Sequence, residues 1–147
     1  MFDAGEMKRA ARDAYLANAY VLGRDGGVPM VYSDHGESGA THPEDDGRWQ
    51  ELWRRADIAG MLAFHNAMHG TPGKTLLATP VVLVKRRGDR GVVVINKSAQ
   101  WQTLTLEHHG LCPGTYVCDL HGHAMTVSEN RFEWHVPPRQ AQLWRRQ

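Results

Sequence analysis

Long apolar runs are missing from this 147-residue sequence. No stretch approaches the roughly 20 residues that a membrane helix needs. The opening "MFDAGEMKRAARDAYLA" also lacks the apolar centre of an export signal. The sequence therefore predicts neither a membrane partner nor an address of its own, and its compartment is left unknown. A surplus of one charge is missing too, since 17 basic residues face 16 acidic ones for a net +1. That balance speaks against a nucleic-acid partner. Lys85-Arg86-Arg87 and Arg145-Arg146 are short clusters with acids nearby, which reads as a solvated loop and a solvated terminus. Cysteine is scarce, and the two present, Cys112 and Cys118 in "LCPGTYVCDL", cannot make a disulfide framework. A local bridge could close across the Pro-Gly turn between them, and two reduced, partly buried thiols fit equally well.

The elements that are present fall into two groups. From Glu6 to Leu22 apolar residues recur at helical spacing and stop at Gly23, which predicts an amphipathic helix. "RDGG" supplies a turn, and "VPMVY" at 28–32 reads as a short buried strand followed by a polar loop. A second helix is expected from about Arg48 to Met68, with Trp49, Trp53, Ile58, Met61 and His65 on one stripe. From Leu76 the period changes. "ATPVVLVKRRGDRGVVVINKS" reads as a hairpin. "QTLTLE", "GTYVCDL", "AMTVSE", "RFEWHV" and "AQLWRR" read as short strands of an antiparallel sandwich or Greek key. The expected class is α+β: an αβα piece at 1–74 followed by an all-β piece at 75–147.

Several residue groups could carry chemistry. Asp34, His35 and Glu37 follow a predicted buried strand, where α/β enzymes place functional groups. Asp34 and Glu37 are thus candidate catalytic carboxylates, although a pair on one loop has no rigid support. His65 and His69 stand four apart in "HNAMH", a spacing that can hold zinc on a helix, but no glutamate follows the first and no third ligand is evident. His108-His109 and the "HGH" at 121–123 read as loop residues. Trp49, Trp53 and Trp144 are expected in the core, whereas Trp101, beside "SAQ", is expected to be exposed.

The order of these pieces resembles that of the α-amylases, glycoside hydrolase family 13. "AYLANAYVLGRDGGVPMVYSDHGE" is similar to the seventh helix and eighth strand of their catalytic barrel, through Gly27, Pro29, Val31, Tyr32 and the acidic Asp34. "RWQELWRRADIAGMLAFHNAMHGTP" resembles the last barrel helix, and "VVLVKRRGDRGVVVINKS", "GLCPGTYVCDLHG" and "VPPRQAQLW" resemble the sandwich called domain C. The resemblance implies an α-glucan substrate, with Tyr32, Asp34 and His35 beside the cleft. It implies that the family's catalytic aspartate, glutamate and aspartate lie on earlier strands, and no match to their motifs occurs in these 147 residues. The chain by itself is expected not to hydrolyse starch. Calcium in the family is bound through earlier segments, so no cofactor is expected here. Family members are commonly secreted or periplasmic, which would suit a Cys112–Cys118 bridge. A single barrel strand leaves open edges, so residues 1–70 are expected to pair with the missing barrel portion or in a homo-oligomer. Two other functions compete: a stand-alone carbohydrate-binding module stacking sugars on Trp101 or Tyr116, and a truncated hydrolase using Asp34 and Glu37.

Overall fold

The computed structural model describes residues 4–29 and 56–147. Helix α1 spans Ala4–Gly23 and helix α2 spans Ala56–Ala67. Eight strands follow: β1 Gly73–Ala78, β2 Val82–Arg87, β3 Gly91–Asn96, β4 Gln102–Glu107, β5 Gly114–Cys118, β6 Ala124–Val127, β7 Arg131–Val136 and β8 Gln140–Arg146. Six form an antiparallel sheet in the order β1-β2-β3-β8-β5-β6, and β4 pairs with β7 in a separate two-stranded sheet.

Strand β3 explains the layering. All six of its residues are buried, which requires cover on both faces. Val92 and Val94 point into a core shared with Leu104, Leu106, Trp134 and Val136 of the small sheet. Val93 and Ile95 point the other way, into a core shared with Leu16, Leu22, Ile58, Met61 and Phe64 of the helices. Strand β8 repeats the pattern, with Ala141 and Leu143 toward the helices and Trp144 toward the small sheet. The result is three layers: helices, a six-stranded sheet and a two-stranded sheet. Fully burying a side chain of this size is worth about 1.5–3 kcal/mol, so the doubly covered strands anchor both cores.

Helix α1 buries Leu16, Ala19 and Leu22 at threefold spacing, and Tyr15 donates its hydroxyl to the carbonyl of Ala141 on β8 at 3.2 Å. Beyond the end of the helix the chain turns at Gly26 and Gly27, with φ values of 79° and 74°, a region that side chains with a Cβ avoid. Helix α2 carries Asp57 in its first turn, where a carboxylate suits the positive end of the helix dipole. Its interior Gly60 lies tight against the turn that follows β5, since a Cβ there would overlap the carbonyl oxygen of Asp119.

Two sequence expectations change. Strand β1 was not foreseen; its exposure alternates irregularly and its pairing slips between Thr75 and Leu77. Val28, read as the first residue of a buried strand, is 94% exposed and lies outside any strand. Pro29 also lies outside any strand, while positions 30–32 of "VPMVY" and positions 48–55 of the second helix lie outside the described residues, as do Trp49 and Trp53.

Candidate functional site

Tyr32, Asp34, His35 and Glu37 also lie outside the described residues. The turn that leads toward them is fixed by a polar cluster that the sequence reading placed in a solvated loop. Lys85, Arg86 and Arg87 sit on β2, and all three are engaged. Arg87 is 2% exposed. Its guanidinium donates to the carbonyls of Gly23 at 2.6 Å, Met68 at 2.9 Å and Thr71 at 3.1 and 3.2 Å. One cation thereby serves the C-terminal ends of both helices, where unpaired carbonyls and the dipole favour positive charge. Burial pushes its pKa down from the usual arginine value, and nearby Asp25 opposes the change. Lys85 pairs with Asp25 at 2.6 Å, and Asp25 also accepts the Gly73 N–H at 2.9 Å. Arg86 reaches the carbonyl of His109 at 3.1 Å. The solvated-terminus reading of Arg145 is corrected as well, because its guanidinium grips Asp119 through two bonds of 2.6 and 2.8 Å.

The histidines have structural partners. His65 Nδ1 lies 3.2 Å from the carbonyl of Leu22, so that nitrogen is the donor and ties α2 to α1. Its ring centroid is 6.3 Å from that of exposed His69. Among the described residues, no group of three or more His, Cys, Asp or Glu side chains could hold a metal ion. His109 is 1% exposed. Its Nδ1 accepts the Leu111 N–H at 3.0 Å and its Nε2 faces the carbonyl of Ser128 at 3.0 Å, which fixes the neutral Nε2–H tautomer.

The two cysteines are free thiols. Cys118 belongs to the core between the sheets, whereas Cys112 donates to Asp89 at 3.0 Å, so the bridge considered from sequence is not formed. Tyr116 offers no stacking surface. It is fully buried, and its hydroxyl lies 2.8 Å from the carbonyl of Cys112 and 3.0 Å from that of Asp89.

Trp101 behaves as the sequence predicts and is 65% exposed. The turn before it is rigid because Asn96, fully buried, organises it from beneath. Asn96 Nδ2 donates to the carbonyls of Gln100 and Pro137, both at 2.9 Å. Its Oδ1 accepts the Ser98 N–H at 2.9 Å and faces the Ser98 hydroxyl at 2.8 Å. Sequence reasoning did not single out Asn96, although an asparagine closing an apolar strand before "KS" is a turn signal. An open, largely apolar groove of about 380 Å³ runs between α1 and the β2–β3 hairpin, lined by Leu16, Tyr20, Leu83 and Ile95 with Asp13 and Lys97.

No family model matches the chain. It is 47% identical over 85 residues to an α-amylase from Aeromonas hydrophila, an alignment that covers 58% of this chain and 18% of that protein. Its fold matches an α-amylase from Malbranchea cinnamomea with a TM-score of 0.68 at 18% identity, over 92% of this chain and 33% of that one. It also matches a variant of α-amylase I from Eisenia fetida, solved with maltohexaose, with a TM-score of 0.69 at 19% identity over 90% of this chain and 35% of that one. The chain therefore spans about a fifth of the curated relative and about a third of the solved structures. By sequence and by fold it is an α-amylase relative, corresponding to a portion of such proteins.

Proposed function

We propose that the chain is the C-terminal portion of an α-amylase acting on α-1,4-glucans, with residues 1–74 as the end of the catalytic barrel and 75–147 as domain C. The observation that carries this reading is the core shared by α1, α2, β3 and β8, which makes the helices and the sandwich one packed body over the stretch that aligns with α-amylases. The maltohexaose bound to the Eisenia protein supports a glucan as the ligand. In this reading Tyr32, Asp34 and His35 contribute to one wall of the cleft, and the carboxylates that cleave the bond belong to other segments of the family. The groove between α1 and the β2–β3 hairpin, with exposed Tyr20 and Val21 on the same helix, is then the surface that meets the rest of a barrel. A second copy of the chain is the competing occupant, and light scattering separates the two.

Hydrolysis needs two carboxylates flanking the scissile bond. The test is release of reducing sugar from soluble starch by the purified 147-residue chain, alongside an Asp34→Ala/Glu37→Ala double variant. Neither protein is expected to release sugar. Release by the parent that disappears in the double variant would overturn the reading and establish Asp34 and Glu37 as a catalytic pair.

A further inference from the structure

Just past α1 the sequence sets an aspartate directly before a glycine, Asp25-Gly26. With no Cβ on the second residue, nothing shields its backbone nitrogen from the aspartate's own carboxyl carbon. The two sides of that bond are treated differently by the fold. On the Asp25 side both carboxylate oxygens are held: Oδ1 pairs with Lys85 Nζ at 2.6 Å, and Oδ2 accepts the Gly73 N–H at 2.9 Å. Gly73 leaves room for both partners, since a Cβ there would overlap Asp25 Oδ1 and Lys85 Cε. The Gly26 side is open. Gly26 is exposed at a φ of 79°, and, chain neighbours aside, no atom of the described residues lies within 4 Å of where its Cβ would sit.

We infer that Asp25-Gly26 is a site of spontaneous rearrangement to isoaspartate, held in check by the grip of Lys85 and the Gly73 N–H on the Asp25 carboxylate. In the first step the Gly26 nitrogen forms a bond to Asp25 Cγ and one Cγ–O bond breaks. The departing oxygen leaves as water, carrying the carboxyl proton and the amide proton. The cyclic imide then takes up one water. Addition at Cγ restores aspartate, whereas addition at the backbone carbonyl carbon leaves Gly26 attached through Cγ, which is isoaspartate. Two features oppose the first step. The carboxyl must be protonated to lose water, and the bonds from Lys85 and Gly73 hold it ionised, with its pKa lowered to about 2. It must also turn toward the Gly26 nitrogen, which gives up both bonds. The product lengthens the main chain by one carbon and takes the carboxylate away from Lys85 and Gly73. That loss falls two residues from Gly23, whose carbonyl Arg87 holds at 2.6 Å. Rearrangement therefore loosens the joint between α1 and the sheet, and an open joint rearranges faster.

The test is peptide mapping by electron-transfer mass spectrometry after prolonged incubation of the 147-residue chain at neutral pH. The fragments locate isoaspartate at position 25 separately from position 46 of the other Asp-Gly pair, Asp46-Gly47. The parent, Lys85→Met and Lys85→Arg are compared in buffer, and the parent also in urea. The folded parent is expected to rearrange at Asp25 roughly tenfold or more slowly than the unfolded parent, since each unit of lowered pKa cuts the protonated fraction tenfold. Lys85→Met, kept folded by circular dichroism, is expected to recover most of that difference, and Lys85→Arg, which keeps the charge, to remain slow. Equal rates in the folded and unfolded parent would overturn the inference, as would a folded Lys85→Met as slow as the parent. The comparison of folded with unfolded parent needs no variant, so it decides the matter even where Lys85→Met fails to fold. An unfolded parent that forms no isoaspartate at position 25 would show that the bond is not reactive and overturn the inference as well.

Discussion

Arg87 Nη1 donates to the carbonyl oxygen of Gly23 at 2.6 Å, so a residue at the end of a sheet strand closes the last turn of helix α1. The same guanidinium also holds Met68 and Thr71 just beyond α2. Both helices thus end on one buried cation. Leaving a buried carbonyl without a donor costs about 1–3 kcal/mol, and Arg87 serves three. Arg87→Met is expected to lose about 3 kcal/mol or more in urea unfolding. Arg87→Lys should recover part of that, because a lysine carries the charge but not the planar fork.

Gly60 sets how closely α2 sits on the turn after β5. Alanine is normally worth about 1 kcal/mol over glycine within a helix. Here its Cβ would overlap the Asp119 carbonyl, on a backbone held by Arg145 and by the bond from the Asp119 N–H to Leu143 at 2.8 Å. Gly60→Ala is therefore expected to destabilise by about 1–3 kcal/mol, measured as a lower urea midpoint with an unchanged slope.

Asp25 gives an acid-sensitive contribution. The hydrogen bond from Lys85, followed by that from the Gly73 N–H, holds its carboxyl at about 2 instead of 3.8. Because the folded value lies below the unfolded one, the stabilisation is present above about pH 4 and lost as pH falls through about 2. The Asp25 side chain is 34% exposed, so solvent screening limits the contribution to about 1 kcal/mol. Asp25→Asn should lower stability by that amount at neutral pH and flatten the acid limb of a stability–pH curve.

Cys112 should be a slow nucleophile. Its hydrogen bond to Asp89 pushes the thiol pKa up, and the thiolate is the reactive form. Alkylation of native protein near about pH 8 is expected to be slow at Cys112 and faster after Asp89→Ala. Cys118, at 1% exposure, should react only on unfolding. Two thiols counted in denaturant without reductant would agree with the free pair, and none would demonstrate a bridge.

How much of this was legible in sequence depended on what covers each strand. Strands β4 and β7 match the predicted runs "QTLTLE" and "RFEWHV" residue for residue, because one wet face imposes strict alternation. The unbroken "VVVI" of β3 was read only as one arm of a hairpin, and its burial on both faces came from the cores that meet it from either side. Strand β1 gave no period to read, since its pairing slips mid-strand. The cluster at 85–87 was misread because local composition cannot reveal that the acceptors for Arg87 lie 16 to 64 residues away. Trp101 was found from its polar neighbours, while the pairing of Thr103 with His135 needed the register between two distant segments.

The most direct test of the account is native-state hydrogen exchange across the helix–sheet interface. The fold match to α-amylase structures covers about nine-tenths of the chain and takes in the helices and the sheets as one unit, with Leu22 and Phe64 packed in the same core as Val93 and Leu143. Amides in α1 near Leu22 and in α2 near Phe64 are predicted to open with the same free energy as those of Val92 to Ile95, and Arg87→Lys should lower the two groups together. Helical amides that exchange through a separate low-energy opening, while β3 stays fully protected, would contradict the claim.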